Sequence, residues 1–360
     1  MNALQEAHAI GQSIWLDGLD RELLDSGRLA ELIGEGVRGV TTDFQTIDSA
    51  IAQFHAGLAS GAVVMSVPTL YESLLVKEVR RVADLLQPLY EHTRGHDGLV
   101  SMEIPPDLAH DAAGTIQAAS RLWQAVDRRN LMIKVPGTLE GLVAIEDLIA
   151  SGINVNATLL FSVQRCAEVR EAYCRGLERL DSTVRPKDVA AVASLFLSRI
   201  DATVDRQLDL LGTAQARALR GRSAIACARL AYHEFVTFGA SSRWEKLGWL
   251  GARPQRLLWA WTSAKDPTHG ELKYVEAVIA AQTVATLPWT TLDAFRRCGH
   301  VQALNDDIAE AQEVLRALAV LGINPRGLAG VLETQSLDTS QAAYSASLDK
   351  LGRRVSLTSG

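Results

Sequence analysis

The residues of this chain that could do chemistry sit at the ends of short apolar runs. The clearest case is Asn130-Leu131-Met132-Ile133-Lys134-Val135-Pro136-Gly137-Thr138. Leu131, Met132, Ile133 and Val135 form an apolar run closed by Pro136-Gly137, the pattern of a strand buried on both faces. Lys134 lies near its end. An ammonium buried without a partner is unfavourable, and the usual relief is a lowered pKa. Such a lysine is a nucleophile able to form a Schiff base with a carbonyl substrate. The alternative is that Lys134 marks the strand end and extends its amine to water.

Other runs end in polar groups too. Residues 13–17 end in Asp17, residues 36–43 end in Asp43, and residues 99–104 carry Glu103. In residues 152–160, Asn154, Asn156 and Thr158 occupy every second position, which places them on one side of a strand. The run 188–197 ends near Ser194, with Arg199 just beyond. Any one of these, taken alone, is more often a helix cap or a loop residue. Three carboxylates and a lysine converging on one mouth are unfavourable unless they serve a reaction. Such a set can form a Schiff base, shuttle protons and break a carbon–carbon bond.

The elements that must position these groups alternate along the chain. Strands are expected at 13–17, 36–43, 99–104, 131–135, 152–160, 188–197, 256–262 and 283–287. Amphipathic helices are expected at 21–36 (capped by Asp20), near 46–58, and at 70–95, 112–129, 139–151, 162–181 and 222–238. The alternation implies βαβ units and a parallel sheet, and about eight repeats imply a closed (β/α)8 barrel. In that fold the strands' C-terminal ends carry the site, which is where the polar residues above fall. No GxGxxG follows the first strand and there is no GxxxxGK[ST], which argues against a Rossmann or P-loop assignment. No Pro/Gly/Ser-rich linker divides the chain. It reads as one α/β barrel domain over 1–360, with a helical C-terminal extension from about 290. Within it the helix near 303–322 is expected to pack across the barrel, and residues 356–360 to fray.

With 48% hydrophobic residues a large core is available, and a net charge of −6 leaves no basic patch for nucleic acid. The four cysteines, Cys166, Cys174, Cys227 and Cys298, show no metal spacing and fit a reducing cytoplasm. No signal segment and no membrane span is expected, nor a metal site among the histidines. Trp15, Trp123, Trp259 and Trp289 are expected as core or interface anchors. Monomer and homodimer fit equally.

Several stretches resemble the transaldolase family in its longer bacterial form: QSIWLDGLDRELLDSGRL, GVRGVTT, MIKVPGTLEGLVAIEDLIASGINVNATLLFS and ASLFLSRIDATVD. Weaker similarity runs through GARPQRLLWAWTSAKDP and TVATLPWTTLDAF, so the resemblance covers most of the chain. It implies a class I aldolase-type barrel with no metal or organic cofactor. Such an enzyme moves a three-carbon dihydroxyacetone unit from a ketose phosphate to an aldose phosphate. It further implies Lys134 as the Schiff-base lysine. Glu103 would act with a bound water as acid and base, helped by Thr158, and Asp17 would take the hydroxyl proton as the carbon–carbon bond breaks. Asn156 and Ser194 would hold hydroxyls of the three-carbon unit, and Arg199 would meet the phosphate.

The chain departs from that pattern where substrate is recognised. Where the family has Thr-Ser-Asn-Pro, it has Thr41-Thr42-Asp43-Phe44, which places an extra charge beside the sugar. Trp261 stands where a serine is expected, filling space and removing a hydroxyl; Lys265 remains as a candidate phosphate contact, with Arg253 and Arg256 nearby in sequence. Gly137 replaces an alanine. The set implies a transaldolase-like transferase with non-standard sugar specificity. The alternatives are an ordinary pentose phosphate pathway transaldolase, an aldolase that releases the three-carbon unit, and a non-catalytic paralogue kept as a partner protein.

Overall fold

Eight short runs of β-branched and other apolar residues close into a parallel barrel. The computed structural model describes residues 1–19, 21–44, 46–52, 65–264, 266, 269–304 and 308–358. The strands are β1 (Gln12–Asp17), β2 (Gly39–Thr41), β3 (Leu99–Glu103), β4 (Leu131–Pro136), β5 (Val155–Leu160), β6 (Ala191–Phe196), β7 (Arg256–Ala260) and β8 (Thr283–Pro288). Each pairs in parallel with its sequence neighbour, and β8 returns to β1, so the expected (β/α)8 barrel is the fold observed.

The helices, in order, are α1 (Ala3–Ile10), α2 (Arg21–Asp25), α3 (Arg28–Glu35), α4 (Asp48–Ala52), α5 (Val67–His92), α6 (Ala112–Val126), α7 (Leu139–Ala150) and α8 (Val163–Glu178). They continue with α9 (Leu197–Leu211), α10 (Ala214–Leu219), α11 (Ser223–Gly239), α12 (Ser242–Trp249), α13 (Lys273–Ala277), α14 (Trp289–Cys298), α15 (Ile308–Val320) and α16 (Pro325–Thr358). Several start on the expected chemistry. The Asp111 side chain accepts from Gly114 N, Thr138 from Gly141 N and Ser162 from Arg165 N, each meeting an orphan amide of the first turn.

The structure corrects the reading of helices in three places. The helix expected over 21–36 is broken: Gly27 takes φ 79° and the Ser26 hydroxyl bonds back to Glu22 O, separating α2 from α3. Its expected cap, Asp20, and residues 53–58 of the next expected helix lie outside the described residues. The helix over the mouth is α16 rather than the stretch near 303–322. α15 packs on α11 and α10 at the side of the barrel, while α16 reaches α4, α5, α9 and β5. The tail expected to fray from 356 continues as helix to Thr358.

The core is one contiguous cluster from both layers of the barrel. Trp15 and Trp259 are fully buried, Trp123 packs at its edge, and Trp289 is half-exposed under the Arg28 guanidinium, 5.8 Å from its ring centroid. Gly39, the register partner of Trp15, is there for space: a Cβ would lie 2.6 Å from the indole. At Gly137 a Cβ would meet the end of the Leu160 side chain, so an alanine there would require that side chain to shift. Cys166, Cys174 and Cys227 are buried free thiols; Cys298 is exposed. Among the described residues no single helix is long and apolar enough to cross a membrane.

A buried ion network seals the N-terminal end of the barrel. Asp97, fully buried, accepts from Ser13 Oγ at 2.6 Å and Arg38 Nε at 2.9 Å, and lies 3.4 Å from Arg256 Nη1. Arg256 also donates to Ser13 Oγ and His96 O. Arg253 is tied nearby to the carbonyls of Gly95 and Arg94. Both arginines, near the phosphate segment in sequence, are thus at the end of the barrel away from the mouth. Position on β7 explains it: Arg256 begins that strand, and the mouth lies at its end.

Candidate active site

Strand register places three of the expected residues side by side. Glu103 on β3 is the partner of Lys134 on β4, which is the partner of Asn156 on β5. Lys134 Nζ lies 2.5 Å from Glu103 Oε1, 2.9 Å from Thr42 O and 3.1 Å from Thr41 Oγ1. An ammonium has three N–H donors, and each has an acceptor. The other carboxylate oxygen, Glu103 Oε2, accepts from Thr42 Oγ1 at 2.6 Å.

This cradle overturns the lowered pKa expected of Lys134. Burial alone pulls it down, but the carboxylates of Glu103, Asp17 and Asp43 outweigh burial and raise it. The resting lysine is an ammonium with the Glu103 carboxyl group already in contact. Burial in turn pushes the Glu103 carboxyl up, against the pull of Lys134 and the Thr42 hydroxyl. Asp17, at the end of β1, is pushed up to about 6, by burial first, with Asp43 adding to it and Lys134 opposing.

Further round the barrel, Asn156 is fixed between two hydroxyls. It donates to Ser101 Oγ at 3.1 Å and accepts from Ser194 Oγ at 2.6 Å. The alternation on β5 ends after Thr158. Leu159 takes φ 60°, the pairing with β6 shifts there, and Thr158 and Leu159 both border the mouth. Asn154 serves the scaffold instead, bonding to Arg129 O, Leu131 O and Ala190 N.

Arg199, in the first turn of α9, lies 3.9 Å above the ring centroid of Trp261 and donates to Ser336 Oγ of α16 at 2.8 Å. Trp261 follows β7 with φ 55° and also meets Phe196, at 5.8 Å between ring centroids. The indole therefore fills space, as expected, and also forms a plate under the guanidinium. Asp43 lies exposed on the rim, within hydrogen-bonding reach of Thr46.

Asp17, Asp43, Glu103, Lys134, Asn156, Thr158, Ser194, Arg199 and Trp261 all border one cavity of about 310 Å³ at the C-terminal ends of the strands. Lys265 lies outside the described residues. Sequence reasoning missed Thr42 and Ser101 as structural partners of the site, and Ser336, Thr339 and Ser340 of α16 as part of its wall. Ser101 had a signal, since it precedes Glu103 by two on the same strand and so shares its face. The α16 residues had none. Among the described residues Asp205, Asp266 and His269 bring possible cation ligands within 4.8 Å of one another away from the cavity. Asp205 already accepts from Gly221 N, and Asp266 is paired with Arg220.

A closed parallel barrel with a lysine, a contacting carboxylate and a second carboxylate at its C-terminal mouth defines an enzyme of the barrel class. The comparisons narrow that class. The family model described as transaldolase/fructose-6-phosphate aldolase matches residues 14–351. A transaldolase of Thiobacillus denitrificans is 42% identical over 359 residues, covering 98% of this chain and 100% of its own. One of Trichodesmium erythraeum is 41% identical over 338 residues, covering 90% and 89%, and one of Frankia alni 38% identical over 362 residues, covering 98% of each. The chain belongs to the transaldolase/fructose-6-phosphate aldolase family and is a transaldolase-type enzyme.

Proposed function

We propose that this protein transfers a three-carbon dihydroxyacetone unit from a ketose phosphate to an aldose acceptor through a Schiff base on Lys134, with a sugar preference shifted from the usual one. The observation that carries the reading is the Lys134–Glu103 contact facing Asp17 across a closed-walled mouth. Glu103 takes a proton from the Lys134 ammonium, and the freed amine attacks the ketose carbonyl. After a proton moves from nitrogen to oxygen, Glu103 returns its proton to the carbinolamine hydroxyl, and water leaves as the iminium forms. Asp17 takes the proton of the adjacent hydroxyl, the carbon–carbon bond breaks, and the electron pair is held as an enamine until the acceptor aldehyde arrives. Thr158 holds the water that leaves as the iminium forms, beside Glu103. Asn156, oriented by Ser101 and Ser194, holds the hydroxyls of the three-carbon unit together with Ser194. Arg199 meets the phosphate.

A base at Asp17 must be ionised to act. Its pKa near 6 means that kcat/KM falls on the acid side with an apparent pKa close to that value. The charge of Asp43 contributes to this elevation, so Asp43→Asn is expected to move the acid limb to lower pH. A pH–rate profile of the two proteins checks it.

The shifted preference rests on Asp43 and Trp261. A carboxylate on the rim repels a phosphate or a developing alkoxide, but accepts from an amino group or from two hydroxyls. Turnover with fructose 6-phosphate and erythrose 4-phosphate is the test. The unmutated protein is expected to be slow with this pair, and Asp43→Asn to raise kcat/KM roughly 10-fold, equivalent to removing about 1.4 kcal/mol of repulsion. Full turnover of the unmutated protein on this pair would instead establish the ordinary transaldolase reading.

A further inference from the structure

Thr42 touches both members of the lysine–carboxylate pair. It follows β2 and is fully buried. Its carbonyl accepts from Lys134 Nζ at 2.9 Å, and its hydroxyl lies 2.6 Å from Glu103 Oε2 and 3.1 Å from Ser101 O. Its N–H donates to the same Ser101 carbonyl at 2.9 Å.

A hydroxyl has one hydrogen and two lone pairs, and a carbonyl has two lone pairs. Ser101 O therefore has one lone pair filled by the Thr42 amide and one left for the Thr42 hydroxyl. When Glu103 is a carboxylate, the Thr42 hydrogen points to Oε2, and the 2.6 Å separation is that of a charge-assisted bond. When Oε2 carries a proton, the bond runs the other way: Glu103 donates, and Thr42 turns its own hydrogen to Ser101 O. When the proton sits on Oε1, facing Lys134, Thr42 keeps donating to Oε2. No polar group of the set is left unpaired in any of these states.

We propose that Thr42 is a positioning residue for Glu103, a reversible hydrogen-bond partner that holds the carboxyl in one place through both of its charge states. The assignment rests on the Schiff-base reading above, in which Glu103 takes a proton from Lys134 and returns it to the carbinolamine oxygen. In that cycle the carboxyl changes charge twice while its neighbours stay fixed. Thr42 contributes no proton to the substrate. Its contribution is to keep Glu103 Oε1 against the nitrogen.

The experiment compares the unmutated protein with Thr42→Val and Thr42→Ser. It measures the rate of borohydride trapping of dihydroxyacetone on the protein as a function of its concentration, with the melting temperature recorded for each variant. Valine keeps the shape and removes the hydroxyl, so its maximal trapping rate is expected to fall about 10–100-fold, the scale of a hydrogen bond to a charged group. The half-saturating concentration is expected to change little, and serine to restore the rate to within about threefold. Trapping by Thr42→Val at the unmutated rate would overturn the assignment. So would a serine variant as slow as the valine one, because the loss would then follow the methyl group and packing. If the unmutated protein traps no carbon while remaining folded, the Schiff-base reading itself fails and takes this assignment with it.

Discussion

Lys134→Ala is expected to remove covalent capture and carbon–carbon chemistry together, with a loss of at least ~10⁴-fold, as for other enzymes deprived of an essential nucleophile. Incubation with fructose 6-phosphate, reduction with borohydride and weighing of the intact protein checks it. A three-carbon gain in the unmutated protein and none in the alanine variant would assign both the Schiff base and cleavage to this site. A six-carbon gain would mean that the adduct forms and cleavage stalls, which places the fault at Asp17 or in the match of the sugar to the mouth. Absence of any gain with this donor and with unphosphorylated, amino and longer ketoses would favour the non-catalytic reading. Removing Lys134 also leaves Glu103 buried without its cation, so the variant's carboxyl is expected to titrate higher than in the unmutated protein.

Asp97→Ala is expected to give the largest loss of stability. It strips the partner from the buried Arg256 guanidinium and from Arg38, and breaking a buried pair from one side costs about 3–5 kcal/mol. In a chain of 360 residues that corresponds to roughly 4–7 °C in Tm, read by calorimetry. The native pair is also a source of pH dependence. Burial pushes the Asp97 carboxyl up, but Arg256, the Ser13 hydroxyl and Arg38 outweigh it and hold it below the usual range. A carboxyl whose pKa is lower folded than unfolded contributes stability above the unfolded value, about 4, and that contribution is lost as pH falls through the folded value. The unmutated protein should therefore lose Tm more steeply than Asp97→Ala as pH falls below about 4.

The barrel was legible because each strand is a local pattern: an apolar run, a closing Pro-Gly or a polar end, and a helix after it. The convergence of Asp17, Glu103, Lys134, Asn156 and Ser194 followed from the rule that such barrels place strand ends at one mouth. What the sequence did not carry is what depends on neighbours distant in the chain. The sign of the Lys134 shift is decided by groups on β1, on β3 and just after β2, 31 or more positions away by the separation from Glu103. Arg256 was associated with the phosphate segment because sequence proximity does not say which end of a strand a residue occupies. The Ser336 contact to Arg199 spans 137 positions and comes from a helix whose polar face looks like any solvated one. Trp261 was read as filler. Its left-handed backbone and the guanidinium above it give it a second task that no propensity of tryptophan announces.

The helix over the mouth bears on how the site is assembled during synthesis. β8 completes the ring at Pro288, whereas α16 begins at Pro325. A chain emerging from the ribosome can therefore close its barrel and bring Lys134 against Glu103 before Ser336 has left the exit tunnel. α16 then settles by clasping the rim: Ser347 donates to Phe44 O, Lys350 pairs with Asp48, and Tyr344 packs edge-on against Tyr71. Folding and competence are separate events on this account. A protease that cuts at the turn between α15 and α16 would leave a ring of eight strands in which Lys134 faces an unroofed, water-filled mouth.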